Sequence, residues 1–551
     1  MTRWLATAAL VWAMLAVVSG AVAQEQAAAT YPVSGVVLNG LTRRPIARVL
    51  VDAQVDAVLT DGEGHFELKL PAGFSSINVT RPGFGIGRGR RDEHRVNVGA
   101  NMPELTFLLM PSATISGHVS LSNGDEADGF RIQLYRKVFE NGHESWQVRS
   151  SARTDSEGQF RMGELEAGTY LLLSEEMMDG RGSAVKGAVR YGYPSVIYPG
   201  VSDPAAAGLL VLRPGQQATA DFVLTRQVLF PVTITVANKP DGRPVGMQIY
   251  DTSGRWVGAA TQWDQQEQVA RTNLPNGRYY AQVNQRGGQQ EFGRVEFTVA
   301  GRAVSGLSMT LFPLQPVMVH VRKEFTVAGQ DGGFTGGGDQ QSAGLNLTLR
   351  SAEAFESNGM GGNLRHPEGS ADPSLFELNA VTPGRYWVST TAYQGYVSSI
   401  SSGGVDLMRE PLTIGEGNST APIEVVLRND AGTITGQLTP GSGTDEAASG
   451  GGAEAPGELK QAMISAVPLF PSSEQVHATT VANGSGEFSI GNLTPGSYRV
   501  FALDQSVDVG AMLPEERQRY MNGGTTVKVD AGGTANVQLQ VISVADAVGH
   551  E

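Results

Sequence analysis

Short runs of alternating apolar and polar residues recur along the whole chain. Five of them open a unit: VSGVVL from Val33, ISGHVSL from Ile115, VTITVAN from Val232, VMVHVRK from Val317 and ITGQLTP from Ile434. Five close one: LTFLLMP at Leu105, ADFVLTR at Ala220, LSMTLFP at Leu307, IEVVLRN at Ile423 and ANVQLQV at Ala535. A period of two puts apolar side chains on one face of a strand, the pattern of an antiparallel sheet half covered by a second sheet. The chain is predicted to be all-β, a tandem array of five antiparallel β-sandwiches of prealbumin or immunoglobulin type.

Between each opening and closing strand lies a second recurring pattern. Its clearest copies are TDSEGQFRMGELEAGTY, Thr154 to Tyr170, and ANGSGEFSIGNLTPGSY, Ala482 to Tyr498. A copy one residue shorter, TDGEGHFELKLPAGF, runs from Thr60 to Phe74. In two worn copies Val269 precedes Gly277 and Tyr279, and Phe376 precedes Gly384 and Tyr386. The polar tetrapeptide predicts a turn, Phe160 and Met162 at a spacing of two point inward, and Gly168 allows a second turn before Tyr170. Every fixed residue is thus expected in a turn or in a core.

The period of this hairpin sets the boundaries. Residues 1–23 are set apart as a leader, and sandwiches are expected at 24–111, 112–226, 227–315, 316–430 and 431–551, with almost no linker between them. Short junctions predict a semi-rigid rod or bent chain of beads. Sandwich 4 carries two Gly/Ser-rich stretches, AGQDGGFTGGGDQQSAG and ESNGMGGNLRHPEGSADPS, and sandwich 5 carries GSGTDEAASGGGAEAPGE. These are expected as surface loops.

The leader reads as a secretory signal: Arg3, an apolar stretch from Trp4 to Val18, then Ala21-Val22-Ala23, with cleavage between Ala23 and Gln24. Export to the periplasm, the outer-membrane surface or the medium follows, with no membrane span expected in the mature chain. The 551 residues contain no cysteine, so no disulfide holds these sandwiches and each depends on its own core. A net charge of −14 spread along the chain argues against nucleic acid as a partner. The one basic cluster, Arg88, Arg90 and Arg91 with Arg81 and Arg95, reads as a solvated loop.

The opening SG-x-V, the TDxxGxF turn and the LxxGxY ending resemble the carboxypeptidase regulatory-like domain family, most closely at VSGVVLNGLTRRPIARVLVDA with TDGEGHF and in sandwiches 2 and 5. The segment YPGVSDPAAAGLLVLRPGQ, from Tyr198, is similar to one found in multi-domain exported bacterial proteins of this type. The resemblance implies a transthyretin-like sandwich of the carbohydrate-binding-like fold, without the zinc peptidase domain that such sandwiches accompany elsewhere. None of the histidines, His65, His94, His118, His143, His320, His366, His477 and His550, is followed three residues later by Glu. The Cna-B type stalk domain is also similar, but its isopeptide cross-link needs a buried Lys on the opening strand, and Lys323 is the nearest candidate.

No nucleophile elbow, HExxH pair, P-loop or dinucleotide fingerprint occurs, so no catalytic, cofactor-binding or metal-binding residue is assigned and the chain is read as no enzyme. The acidic turns at Asp61 and Asp155 offer too few oxygens for calcium and are read as turns. The predicted role is a structural or binding protein of the envelope or extracellular space, with a polysaccharide or another envelope protein as partner. Carbohydrate binding is the alternative, through exposed aromatics: Tyr250, Trp256 and Trp263 in sandwich 3, and Tyr191, Tyr193 and Tyr198 in sandwich 2.

Overall fold

The computed structural model describes residues 30–544 apart from 86–92, 101, 103, 141, 179–188, 239–244, 286–289, 327–342, 354, 356–359, 363, 380, 416, 418, 419, 440–461, 473–477, 505, 506 and 508. The leader region with Ala23 and Gln24, the basic residues Arg88, Arg90 and Arg91, and most of the first and last Gly/Ser-rich stretches lie outside the described residues, whereas the second stretch, expected as a surface loop, supplies the short strands Met360–Gly362 and Leu364–Arg365 and buries Leu364 in the core. The chain divides into two units, one taking in Met1–Arg81 and Arg91–Leu109, the other Pro82–Arg90 and Met110–Glu551. Nearly every described element is a strand, as the alternation predicts. No helix among the described residues is long and apolar enough to cross a membrane.

One strand plan recurs. In the first unit Thr30–Asn39 pairs antiparallel with His65–Pro71 and parallel with the closing strand from Leu105. In the second unit Ala113–Leu121, Gln227–Ala237, Val317–Glu324 and Gly432–Thr439 take the same position, each between an antiparallel motif strand and a parallel closing strand. The parallel pair was not legible from alternation. It arises because the chain crosses to the facing sheet before the closing strand returns. The facing sheets are built on the strands that follow the motif glycine: Gly73–Thr80, Gly168–Ser174, Gly277–Gln285, Gly384–Ala392 and Gly496–Leu503. Within the second unit, the segments 112–226, 227–315, 316–430 and 431–551 each enclose a hydrophobic cluster, around Tyr170, Ile234, Phe376 and Phe488 respectively.

Three local devices explain the repeated motif. The first is its Asp or Asn. The Oδ1 of Asp61 accepts from the amides of Glu63 and His65 (3.0 and 2.8 Å), that of Asp155 from Glu157 and Gln159 (3.0 and 2.8 Å), and that of Asn483 from Ser485 and Glu487 (both 2.9 Å). An uncharged amide does the same work at Asn483, so this position needs an oxygen acceptor and no charge. The turn closes on a glycine in the left-handed region, Gly158 at φ +69°.

The second device pairs the motif Phe with a glycine on the opening strand. Phe66 stands opposite Gly35, Phe160 opposite Gly117 and Phe488 opposite Gly436. A Cβ on Gly436 would lie 2.1 Å from the Val537 carbonyl oxygen and 2.5 Å from the Phe488 ring. The ring therefore lies over bare backbone.

The third is the motif tyrosine. Tyr170, Tyr279, Tyr386 and Tyr498 are all buried, and each donates its hydroxyl to the carbonyl four residues earlier, on Glu166, Pro275, Thr382 and Thr494, at 2.7, 3.3, 2.8 and 2.6 Å. The bond pins the turn to the core and explains why these copies carry Tyr and not Phe. Tyr170→Phe leaves the Glu166 carbonyl without that donor and is expected to cost about 1–2 kcal/mol. The check is the chemical-denaturation midpoint of the sandwich. A shift below the error of the measurement would show that the bond makes no net contribution to stability.

The first unit breaks the third rule. Phe74 was expected inward, but it is 85% exposed. The shorter copy puts the aromatic directly after Gly73, and a slip of one residue moves a side chain to the other face of its strand. Ile77 and Val79 then carry the inward face, with Phe74 on the outward one.

Candidate functional site

The facing sheet of segment 227–315 places an aromatic row across three strands. Trp256 stands opposite Tyr250, and Tyr250 opposite Tyr280. The neighbouring Ile249 and Ala281 point into the core, so the row occupies the outward face. Tyr250 and Tyr280 stack nearly parallel, with centroids 5.0 Å apart and planes 10° apart, and the Arg294 guanidinium lies 3.7 Å from the Tyr280 centroid. Arg294 comes from the strand on the far side of Tyr280, so Tyr280 has both faces covered and is 8% exposed. Trp256, at 56% exposure, presents the open indole of the row. Gln248 and Gln282, paired in register, lie beside it, and the Gln248 carbonyl accepts from the Tyr250 hydroxyl at 3.0 Å.

Trp263 does not join this row. The chain between Trp256 and Trp263 crosses to the other sheet, where Gln262–Asp264 pairs with Val269–Leu274 and Trp263 packs, partly buried, against the core. The tyrosines of segment 112–226 also divide. Tyr193 meets Phe130 edge to face (5.3 Å, 83°) and Tyr198 meets Phe222 (6.5 Å, 74°), so both serve packing. Tyr191, 36% exposed, stands opposite Val228 with the Arg226 guanidinium 4.4 Å from its ring. This contact belongs to a shared sheet: Arg190–Tyr193 hydrogen-bonds to Gln227–Ala237, the opening strand of the next segment. Lys323 is exposed near the end of its strand, which does not suit an isopeptide donor.

Other polar and aromatic groups of the second unit tie segments together, and the sequence reading missed them. Arg255 donates to Glu176 Oε1 at 2.9 Å and to Asp251 Oδ2 at 3.0 Å, while Glu176 Oε2 accepts from the Gly258 amide at 3.3 Å. The Glu176 side chain is 6% exposed and that of Arg255 13%. Burial acts to lower the Arg255 pKa, but Glu176 and Asp251 outweigh it and hold the guanidinium above its usual range. Burial, assisted by Glu176, pushes Tyr279 up to about 12.

A long hairpin, Arg131–Glu140 with His143–Arg153, reaches further. Phe355 of segment 316–430 packs edge-on to Tyr135 (5.4 Å, 88°) and parallel to Trp146 (6.4 Å, 12°). His143 stacks on Trp387 at 3.4 Å and 11°. Arg517, on the helix Pro514–Asn522, lies 4.5 Å from the Phe139 ring. A plain string of beads would not bring segment 112–226 against both of the last two segments.

One position unites these contacts. The residue after each motif tyrosine faces outward, and it is Leu171, Tyr280, Trp387 or Arg499. Leu171 is covered in a cluster with Phe355, Trp387 by His143, and Arg499 by the helix end, where it donates to the Met521 and Asn522 carbonyls (2.5 and 3.1 Å). Tyr280 is covered by its own sheet. A large outward residue where alternation calls for a small polar one is the signal that could have revealed the ties.

Burial lowers the His143 pKa to about 4, from its usual 6.5. A depressed folded-state pKa means that the released hairpin takes up a proton the docked one refuses. Stability from docking is therefore complete above pH 6.5 and declines as the pH falls toward 4. His143→Phe keeps an aromatic stack and removes the titration. The parent's melting temperature is expected to fall more steeply than the variant's between these pH values, and parallel curves would contradict docking through a neutral imidazole.

No protein-family model matches the chain, and no curated protein does. Among solved structures, a streptococcal ancillary pilin is similar at 11% identity over 51% of this chain and 100% of its own, with a TM-score of 0.18. A minor pilin of Streptococcus agalactiae is similar at 15% identity over 36% of this chain and 97% of its own, with a TM-score of 0.18. The TIE protein of Bacillus anthracis is similar at 14% identity over 78% of this chain and 73% of its own, with a TM-score of 0.13. Likenesses of this size carry no argument about function.

Proposed function

We propose that this chain is an exported, non-enzymatic structural or binding protein of the cell envelope or extracellular space, built from five sandwiches of the carboxypeptidase regulatory-like kind. The observation that carries this reading is the use made of its reactive-looking side chains in the second unit. Arg255, Glu176, His143, Trp387 and Arg517 hold one segment against another. A body braced in this way suits load-bearing or the fixed display of surfaces to another envelope protein. The acidic chain is a poor partner for nucleic acid.

Fractionation of the native cells with N-terminal sequencing of the recovered chain tests the reading. It expects a mature protein beginning at Gln24 in an exported fraction, and a chain that retains Met1 in the cytosol would overturn it. Limited proteolysis should leave the second unit as one large resistant fragment. A ladder of single sandwiches would contradict the bracing.

A second reading, binding of a polysaccharide, is favoured by the open indole of Trp256 on the sheet face that also carries Gln248 and Gln282. Its site is narrower than the six aromatics expected from sequence. A glycan array with the parent and Trp256→Ala decides it: binding that the substitution removes supports the reading, and binding unchanged by it, or none, counts against it.

A further inference from the structure

Segment 227–315 stands apart from the rest of the chain in its charge. It holds eight basic and six acidic residues, a net charge of +2, in a protein whose total is −14, and every other segment is neutral or acidic. The same segment carries the outward row of Trp256, Tyr250 and Tyr280, with the Trp256 indole open to solvent. Where its cations stand relative to that row decides what they can hold.

Arg278 lies two residues before Tyr280 on the strand Gly277–Gln285, so it belongs to the same outward face, about 7 Å along the strand from the row. It is exposed, and no carboxylate among the described residues pairs with it. Asn276 Oδ1 accepts from the Gly301 amide at 2.6 Å, which brings Arg302, also exposed and unpaired, to the same end of the sheet. The nearby carboxylates are engaged: Asp251 with Arg255 at 3.0 Å and Glu296 with Arg294 at 2.9 Å. Glu353 packs against Gly254 at the tip of the turn, off the row. The uncharged Gln248 and Gln282 flank the row on its other side.

A lone exposed arginine is ordinarily a solvated one. Beside an open indole it has a second use, because the ring supplies apolar area and the guanidinium can then take an anion of the same ligand in a bidentate, charge-assisted bond without giving up an internal partner. A neutral glycan would leave Arg278 and Arg302 idle. A nucleic acid would need many more basic contacts than these and would be repelled by the chain as a whole. A sugar acid meets the whole face: its C–H side suits Trp256, its hydroxyls suit the glutamines, and its carboxylate suits Arg278.

We propose that the Trp256 face binds an acidic polysaccharide, with a sugar ring stacked on Trp256 and the carboxylate of that ring or its neighbour held by Arg278. This rests on the polysaccharide reading of the same face and adds the sign of the ligand's charge. Titration calorimetry on the full chain tests it, with oligomers of galacturonate, glucuronate and mannuronate as probes. Each is compared with its methyl ester, which keeps the ring stereochemistry and removes the charge. At least one acid oligomer is expected to bind about tenfold more tightly than its ester, an advantage that shrinks as salt rises.

Arg278→Gln should remove most of that advantage without weakening the ester, Arg278→Lys should keep part of it, and Trp256→Ala should abolish binding of both forms. Both side chains are exposed, so the melting curves should not change. Equal affinity for acid and ester, or an acid affinity untouched by Arg278→Gln, would overturn the acidic ligand and leave the polysaccharide reading standing. Binding of none of the oligomers would overturn both. Equal binding of an oligonucleotide of the same charge would also overturn the proposal, since the face would then read charge and not sugar.

Discussion

Arg255→Leu is expected to destabilise the junction of segments 112–226 and 227–315 by about 3–5 kcal/mol, because it leaves Glu176 buried without its cation. Both Glu176 oxygens are committed, one to Arg255 and the other to the Gly258 amide, and at 6% exposure the side chain has almost no water to turn to. Replacing both charges is a different experiment. Glu176→Gln with Arg255→Met removes the desolvated anion and cation together and keeps an acceptor for the Gly258 amide, so most of the loss should return. The readout should be local, since multi-segment chains seldom unfold in one step. Amide hydrogen exchange in Met247–Asp251 and in the shared strand Arg190–Tyr193 reports on this junction directly. A single-mutant cost below about 1 kcal/mol would place the pair with solvent-screened surface bridges and leave the shared sheet as the tie.

The alternating strands and the motif turns were open to sequence reading because they depend on contacts close along the chain, but the motif is no hairpin: its two strands, such as Gln159–Leu165 and Gly168–Ser174, lie in facing sheets and pair with other strands. Asp155 caps its own turn, and Tyr170 bonds to a carbonyl four residues back. The Glu176–Arg255 pair and the His143–Trp387 stack were not, since each joins residues far apart whose identities alone name no partner. Phe74 shows a subtler limit: the pattern looked intact there, yet the missing residue reversed its direction. The aromatic site was half legible. Sequence proximity brought Tyr250 and Trp256 together correctly, but only strand register could add Tyr280 and set Trp263 on the other sheet.

These ties also change what the repeat is for. A sandwich that merely stood in a row would keep small polar residues on its outward sheet face. In the second unit the outward positions beside the motif tyrosines hold large groups, and each is covered by a hairpin, a helix or its own sheet. The long hairpin thus relates segment 112–226 to both segments 316–430 and 431–551, and the interior of each sandwich stays free to repeat while its outside diverges.

The interior sets the second large expected effect, at the glycine beneath the motif Phe. Phe488→Ala should cost about 3–5 kcal/mol, the usual penalty for emptying a large buried aromatic site. Gly436→Ala adds one methyl group and should still cost about 3 kcal/mol, at the upper end for overpacking, because one of its two clashes is with backbone. A ring can tilt away from a methyl group at 2.5 Å, but the Val537 carbonyl at 2.1 Å belongs to the parallel closing strand and moves only if that strand parts from the opening one. Combining Gly436→Ala with Phe488→Leu separates the two causes. If the ring were the main obstacle, the double variant would be more stable than Gly436→Ala alone. If the carbonyl is, the two losses should add, and denaturant unfolding of the last sandwich, followed through its strand amides, should show the sum. Segment 316–430 supplies the natural contrast: Val319 stands opposite Phe376, whose ring lies against His366 at 4.3 Å. There a glycine has no ring to receive, and Val319→Gly should destabilise the sandwich through lost burial and added chain freedom.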